Sequence, residues 1–146
     1  MKIAIGNDHA GVEYKNQIVD YLRGEGHEVL NVGTDDDNSC DYPDYAKKVC
    51  ALVASKTADY GILVCGTGVG MSIAANKVKG IRASLCHNSF VAEMTRRHND
   101  SNILCIGARV VSLEDAIQLT KTYLSTPFDE VDNPDKHTRR ISKIED

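Results

Sequence analysis

The sequence predicts an α/β fold: a doubly wound, Rossmann-like three-layer sandwich around a five-stranded parallel sheet. Three observations carry this. Five short apolar runs recur along 146 residues. Amphipathic helical patterns fill the intervals between them. The runs are apolar almost throughout rather than alternating, which suits strands covered by helices on both faces. Strand and helix alternating in this way imply a parallel sheet with right-handed crossovers. No linker or composition break divides the chain, so residues 1–146 read as one domain.

KIAIG, Lys2 to Gly6, is the first strand, and it runs into the polar stretch Asn7, Asp8, His9 and Ala10. EVLNVG, Glu28 to Gly33, is the second. The acidic loop TDDDNSCDY, Thr34 to Tyr42, follows as a solvated connection or a rim. Ala46, Val49, Cys50 and Val53 then fall at i, i+3, i+4 and i+7, one face of a helix. YGILVC, Tyr60 to Cys65, is the third strand and ends in the glycine turn GTGVG, Gly66 to Gly70. GIRASLC, Gly80 to Cys86, and NILCIG, Asn102 to Gly107, are the fourth and fifth. Leu113, Ala116, Ile117 and Leu124 mark the face of a later helix, with Ser112 and Asp115 as a capping-box-like start. From Asp129 the tail DEVDNPDKHTRRISKIED is charged, with a helical stretch after Pro134. It is either plain surface or a reach toward a neighbouring subunit.

Composition narrows the function classes. Hydrophobic content is 42%, charged content 26% and the net charge −4, so a general nucleic-acid partner is not expected. No apolar stretch approaches the length of a membrane span, and no Lys/Arg run suggests a membrane-surface patch. The chain opens directly on strand-like MKIAIGN, without the pattern of a signal peptide. Five cysteines, an odd number without a C-x-x-C pair, fit reduced thiols in the cytoplasm better than a disulfide framework or a zinc site. Cys50, Cys86 and Cys105 lie in core-like patterns, whereas Cys40 sits in the polar loop. No His/Cys/Asp spacing matches a metal-ligand set, so neither metal nor cofactor is expected.

Ligands of such folds collect beyond the carboxyl ends of the strands. The residues placed there are Asn7, Asp8, His9 and Ala10, Cys65 to Gly70, His87 and Asn88, and Ala108 and Arg109. The turn Gly66 to Gly70 would aim several backbone N–H groups into one concavity, suited to a phosphate or to an oxyanion formed in a reaction. A dinucleotide fingerprint would be G-x-G-x-x-G after the first strand; here the spacing is G-x-G-x-G after the third. A ligand-free tight turn is the structural alternative. Cys65 stands just before these donors, which would stabilise a thiolate, so it is either an inert strand-end filler or a base or nucleophile. His9 gains weight from its place over the strand ends, while His98, in the segment TRRHND, stays ambiguous by pattern alone. Lys136 and Arg140 are four apart, so on a helix they share a side and could clamp a phosphate, with Arg109 as a third candidate.

Four stretches together, IGNDHAG (Ile5 to Gly11), DYPDYA (Asp41 to Ala46), CGTGVGMSIAANKVKGIRA (Cys65 to Ala83) and RRHNDSNIL (Arg96 to Leu104), closely resemble the type B ribose-5-phosphate isomerases. This sugar-phosphate isomerase family also includes allose-6-phosphate and galactose-6-phosphate isomerases. The match runs end to end and in order. It implies a metal-free interconversion of ribose 5-phosphate and ribulose 5-phosphate through a cis-enediolate, in the non-oxidative pentose phosphate pathway. By resemblance, Cys65 is the base, the backbone of Gly66, Gly68 and Gly70 holds the oxyanion, and Thr67 assists nearby. His98 opens the furanose ring with Asp8 on the ring-oxygen or hydroxyl side, and Tyr42 and Asn99 line the sugar. His9, Arg109 and Arg140 hold the phosphate.

The resemblance also implies a homodimer or homotetramer in which a neighbouring subunit supplies the His98–Asn99 segment and the charged tail clamps phosphate across the interface. One departure stands out. Many relatives carry Gly-Gly-Arg-His before the last helix, where this chain has NPDKH, Asn133 to His137. Lys136 replaces the arginine, keeping the charge but losing the bidentate fork. The HND motif and Tyr42 resemble the ribose enzymes more than the galactose-6-phosphate subunits.

Overall fold

The computed structural model describes residues 1–128 and 134–145, with the side chain of Pro134 set aside. The strands are β1 (Lys2–Asn7), β2 (Glu28–Asn31), β3 (Tyr60–Cys65), β4 (Ala83–Leu85) and β5 (Ile103–Gly107). The helices are α1 (Val12–Gly24), α2 (Tyr42–Ala54), α3 (Val69–Ala75), α4 (Ser89–Asn99), α5 (Leu113–Ser125) and α6 (Pro134–Ser142), with a 3-10 turn at His9–Gly11. All strand pairs are parallel, in the order β2-β1-β3-β5-β4. The expected five-stranded α/β architecture is present. Of the expected tail, Asn133 and the four residues before it lie outside the described residues.

Central strands form because their side chains are apolar on both faces. Ile3, Ile5, Ile62, Val64, Leu104 and Ile106 point to one side and meet Ile18, Val19 and Leu22 of α1 and Ala116, Leu119 and Tyr123 of α5. Ala4, Leu63, Cys65, Ile103 and Cys105 point to the other and meet Ala46, Val49, Cys50 and Val53 of α2 and Met71 and Ala75 of α3. The predicted α2 face is thus the buried one. On α5 the buried positions are Ala116, Leu119, Thr120 and Tyr123, whereas Leu113, Ile117 and Leu124 are only half-buried. Two polar side chains reach the core there because their oxygens are satisfied: Thr120 Oγ1 donates to Ala116 O, and Tyr123 Oη pairs with Ser101 Oγ at 2.8 Å. Ser112 caps α5 as expected, accepting from Asp115 N at 3.1 Å.

Strand order reverses between β1 and β3, since the chain leaves β1 toward β2 on one side and returns to β3 on the other. In an open α/β sheet this reversal splays the following segments apart and leaves a crevice at the carboxyl ends. Asp8 and His9 leave β1 there, and Cys65 closes β3 there.

The acidic loop after β2 is fastened over that edge from below. Asn7, fully buried, donates through Nδ2 to Thr34 O at 3.0 Å and accepts from Thr34 N at 3.1 Å. Lys15, also fully buried, reaches out of α1 to Asp35 Oδ1 at 2.6 Å. That hydrogen bond, and then the lysine's charge, hold the Asp35 carboxyl below the usual carboxylate range. A depressed carboxylate contributes stability at neutral pH and loses it as pH falls through the depressed value, below about pH 4. Asp35→Asn should therefore melt at a lower temperature than the native protein at neutral pH. The difference should close as thermal melts are taken down to about pH 3.

Candidate active site

Cys65 ends β3 with its side chain 5% exposed, and its sulfur accepts a hydrogen bond from Gly68 N at 3.2 Å. The turn that makes this possible depends on Gly68. Its φ is +79°, in the left-handed region, and a Cβ there would stand 2.5 Å from Leu85 Cδ1 and 3.0 Å from the carbonyl carbon of Ile106. Backbone is thereby folded back so that a main-chain N–H faces the sulfur, the arrangement a thiolate requires. Thr67 is exposed at the tip, and its Oγ1 accepts from Val69 N at 3.3 Å. Gly70 leaves room for Tyr42, whose ring would lie 2.8 Å from an added Cβ. Tyr42 itself is 40% exposed at the start of α2.

Gly68→Ala tests the turn. Forcing alanine into a left-handed conformation costs about 1–2 kcal/mol, and crowding by backbone adds to it. The melting temperature should fall by several degrees, and turnover should fall at least about tenfold as the N–H leaves the sulfur.

The segment after β1 is pinned against the same strand end. Asp8 N donates to Val64 O at 3.2 Å, and Gly11 approaches so closely that a Cβ would lie 2.8 Å from Val64 O. Asp8, 6% exposed, accepts from Ala10 N at 3.0 Å and so caps the 3-10 turn. His9 is half-buried, and Cys40 N donates to its Nδ1 at 3.3 Å. With Nδ1 accepting, Nε2 is the ring nitrogen that carries a proton. Arg109 follows β5; its N donates to Gly66 O at 2.9 Å, and its Nη1 would lie 3.2 Å from a Cβ on Gly66. Asp8, His9, Tyr42, Cys65 to Gly70 and Arg109 thus occupy one end of the sheet.

His98, Asn99, Lys136 and Arg140 do not. Helix α4 starts beyond the carboxyl end of β4 and returns to the start of β5, so its last turn lies at the opposite edge. Gly61 N, at the start of β3, donates to Asn102 O at 2.9 Å, and Arg82, just before β4, donates to Asn99 O at 3.0 Å. The six-residue β3 separates this edge from Cys65 by about 16 Å or more. Here α6 packs on α4: the His98 and His137 rings stack with centroids 4.6 Å apart, and Arg140 borders the same hollow of about 400 Å³. Lys136 is exposed on α6, one turn before Arg140. The sequence-predicted residues therefore fall into two groups, at different ends of the sheet.

Three further cysteines lie within the core. Burial pushes the Cys50 thiol up to about 11, the Cys86 thiol up to about 12 and the Cys105 thiol well above its ordinary range. All three stay protonated, as expected of core fillers. Among the described residues, no three His, Cys, Asp or Glu side chains converge as a metal-binding set, and no helix is long and apolar enough to cross a membrane. Of the supports beneath the site, Asn7 is placed by sequence beyond the first strand without a supporting role, and Lys15 escapes sequence reasoning. For Lys15 a signal existed: it shares the spacing of Ile18, Val19 and Leu22 and so sits at a core position of α1.

Residues 3–144 match the ribose/galactose isomerase family. Ribose-5-phosphate isomerase B of Escherichia coli is 44% identical over 143 residues, covering 98% of this chain and 93% of that protein. The solved ribose-5-phosphate isomerase B of Clostridium thermocellum superposes with a TM-score of 0.95 at 48% identity, covering 99% of this chain and 95% of the other. That of Thermotoga maritima does so with a TM-score of 0.93 at 51% identity, covering 99% and 97%. With its fold and nearly full length shared, the chain belongs to the ribose/galactose isomerase family of sugar-phosphate isomerases.

Proposed function

We propose that the protein interconverts D-ribose 5-phosphate and D-ribulose 5-phosphate, in the cytoplasm and in the non-oxidative pentose phosphate pathway. The observation that carries this reading is the Gly68 N–H directed at the Cys65 sulfur, 3.2 Å away, at the carboxyl end of β3 beside the reversal of strand order. An aldose–ketose shift needs a base over a weakly acidic C–H and fixed donors for the oxygen that becomes negative.

In the proposed reaction, His98 moves the proton that opens the furanose ring, with Asp8 on the ring-oxygen or hydroxyl side. The Cys65 thiolate then takes the proton from C2. The C–H electrons form the C1–C2 double bond, and the carbonyl electrons go to O1, giving a cis-enediolate. N–H groups of Gly66 to Gly70 hold its negative oxygen, and Thr67 stands beside them. The hydroxyl proton passes from O2 to O1 and Cys65 returns its proton to C1, leaving the carbonyl at C2. Tyr42 and Asn99 line the sugar. His9, Arg109 and Arg140, with Lys136 beside them, hold the phosphate, which takes no part in bonding changes and positions C1 and C2.

Such a site needs two copies, because one chain places His98, Asn99 and Arg140 at the edge remote from Cys65. We infer a homodimer, or a tetramer built from it, in which each crevice receives the α4–α6 corner of the neighbour. Exposed apolar side chains support this. Val69 and Ile73 on α3, Phe90 on α4 and Val110 after β5 leave the sheet at the Cys65 end, and Phe90 is 70% exposed.

Assaying ribose 5-phosphate, allose 6-phosphate and galactose 6-phosphate side by side, with a metal chelator present, tests the reading. Ribose 5-phosphate should give the highest kcat/KM. Preference for a six-carbon phosphate would reassign the substrate within the family. Binding of all three without turnover would leave a phospho-ligand-binding module.

A further inference from the structure

Asp100 is the meeting point of two arginines from different elements. Arg96, 3% exposed on α4, donates from Nη1 to Asp100 Oδ1 at 2.9 Å, and Arg82 donates from Nη2 to Oδ2 at 3.4 Å. The backbone at this point is equally constrained. Asp100 has φ +44° and ψ +46°, a left-handed C-cap that stops α4 one residue after Asn99. Arg82 closes over the carbonyls so exposed: its Nε donates to Asn99 O at 3.0 Å and its Nη2 to Asp100 O at 2.9 Å. Arg96 binds outward to the rest of the fold, donating to Thr126 O at 3.2 Å, to Tyr60 Oη at 2.9 Å and to Ser101 O.

None of these groups reaches the Cys65 end of the sheet. What they hold is the last turn of α4, the two residues His98 and Asn99, whose side chains lie half-buried and exposed respectively. A helix terminus normally frays, and a terminal residue samples several orientations. Here two planar guanidinium forks, anchored in β4's approach and in the core, remove that freedom. A misplacement of about 1 Å at a reacting group can cost about a hundredfold in rate.

We propose that Arg82, Arg96 and Asp100 are positioning residues for catalysis: a clamp that fixes the angle at which His98, in the last turn of α4, is presented to a second copy. The inference rests on the isomerase reading in which His98 opens the sugar ring. It adds that the ring-opening step, and not the proton transfer at Cys65, depends on this clamp.

Two variants test it. Asp100→Asn keeps a residue tolerant of left-handed backbone while removing the charge both arginines share. Arg82→Lys keeps the charge but cannot bridge the two carbonyls. Two rates are read on each dimer: net conversion of ribose 5-phosphate, and wash-in of solvent deuterium at C1 of ribulose 5-phosphate. Ribulose 5-phosphate is open-chain and needs no ring opening.

Net conversion should fall about 10- to 100-fold in kcat with KM changed less than about threefold, while wash-in stays within about threefold of native. Unchanged conversion in both variants would overturn the proposal. So would conversion and wash-in falling together, since that marks damage to the whole site or fold. His98→Asn is the separate control. If it converts ribose 5-phosphate normally, the reading beneath the proposal fails, and the clamp has nothing to position.

Discussion

Cys65→Ala is expected to lower kcat for ribose 5-phosphate by about 10³-fold or more while the dissociation constant for the sugar phosphate stays within a few-fold. The split follows from position. Cys65 stands at the end of β3 with its sulfur against Gly68 N, and alanine there removes only that sulfur. The phosphate ligands assigned above, His9 and Arg109, hang from β1 and β5 and do not lean on the sulfur. Loss of binding together with turnover would instead make Cys65 a packing residue. Alanine at Cys50, Cys86 or Cys105 supplies the contrast. Those thiols are buried and held protonated, so each change should lower stability, by about 1–2 kcal/mol for a small cavity, and leave kcat in place.

Mixing two dead proteins should restore activity. Cys65→Ala spoils the crevice end of its chain, and His98→Asn spoils the α4–α6 corner at the other edge. In a mixed dimer one site inherits both lesions and the other inherits none. Random re-pairing gives about half mixed dimers with one intact site each, so activity should recover to about a quarter of native. Each variant alone should stay at background. Refolding the two together from denaturant and assaying ribose 5-phosphate turnover is sufficient. A mixture as inactive as its components would mean that Cys65 and His98 serve the same chain, against the roughly 16 Å that β3 places between them.

Much of this was legible in the sequence, for identifiable reasons. The three central strands, β1, β3 and β5, are nearly continuous apolar runs, and that signal survives without any knowledge of partners. The glycine turn was legible because the left-handed backbone at Gly68 and the approach of Tyr42 to Gly70 each exclude a side chain. His98 stays ambiguous by pattern, and its distance from Cys65 comes from the fold, in which α4 runs back to the start of β5. The buried face of α5 was misplaced because Thr120 and Tyr123 read as polar, and only the fold supplies Ala116 O and Ser101 Oγ to satisfy them. Lys15, Asn7 and the pair of arginines on Asp100 were invisible as supports for the same reason. Asp35, Thr34 and, for Arg82, Asp100 become neighbours only through long-range packing, whereas Arg96 and Asp100 are an i, i+4 pair whose outward anchors only the fold supplies.

Where the substrate's hydrogen goes decides whether a sulfur performs the reaction. In deuterated buffer with a metal chelator, the native protein should place solvent deuterium at C1 of ribulose 5-phosphate, read by proton NMR, and Cys65→Ala should place none while still binding the sugar phosphate. Exchange continuing at the native rate without that sulfur would contradict the account.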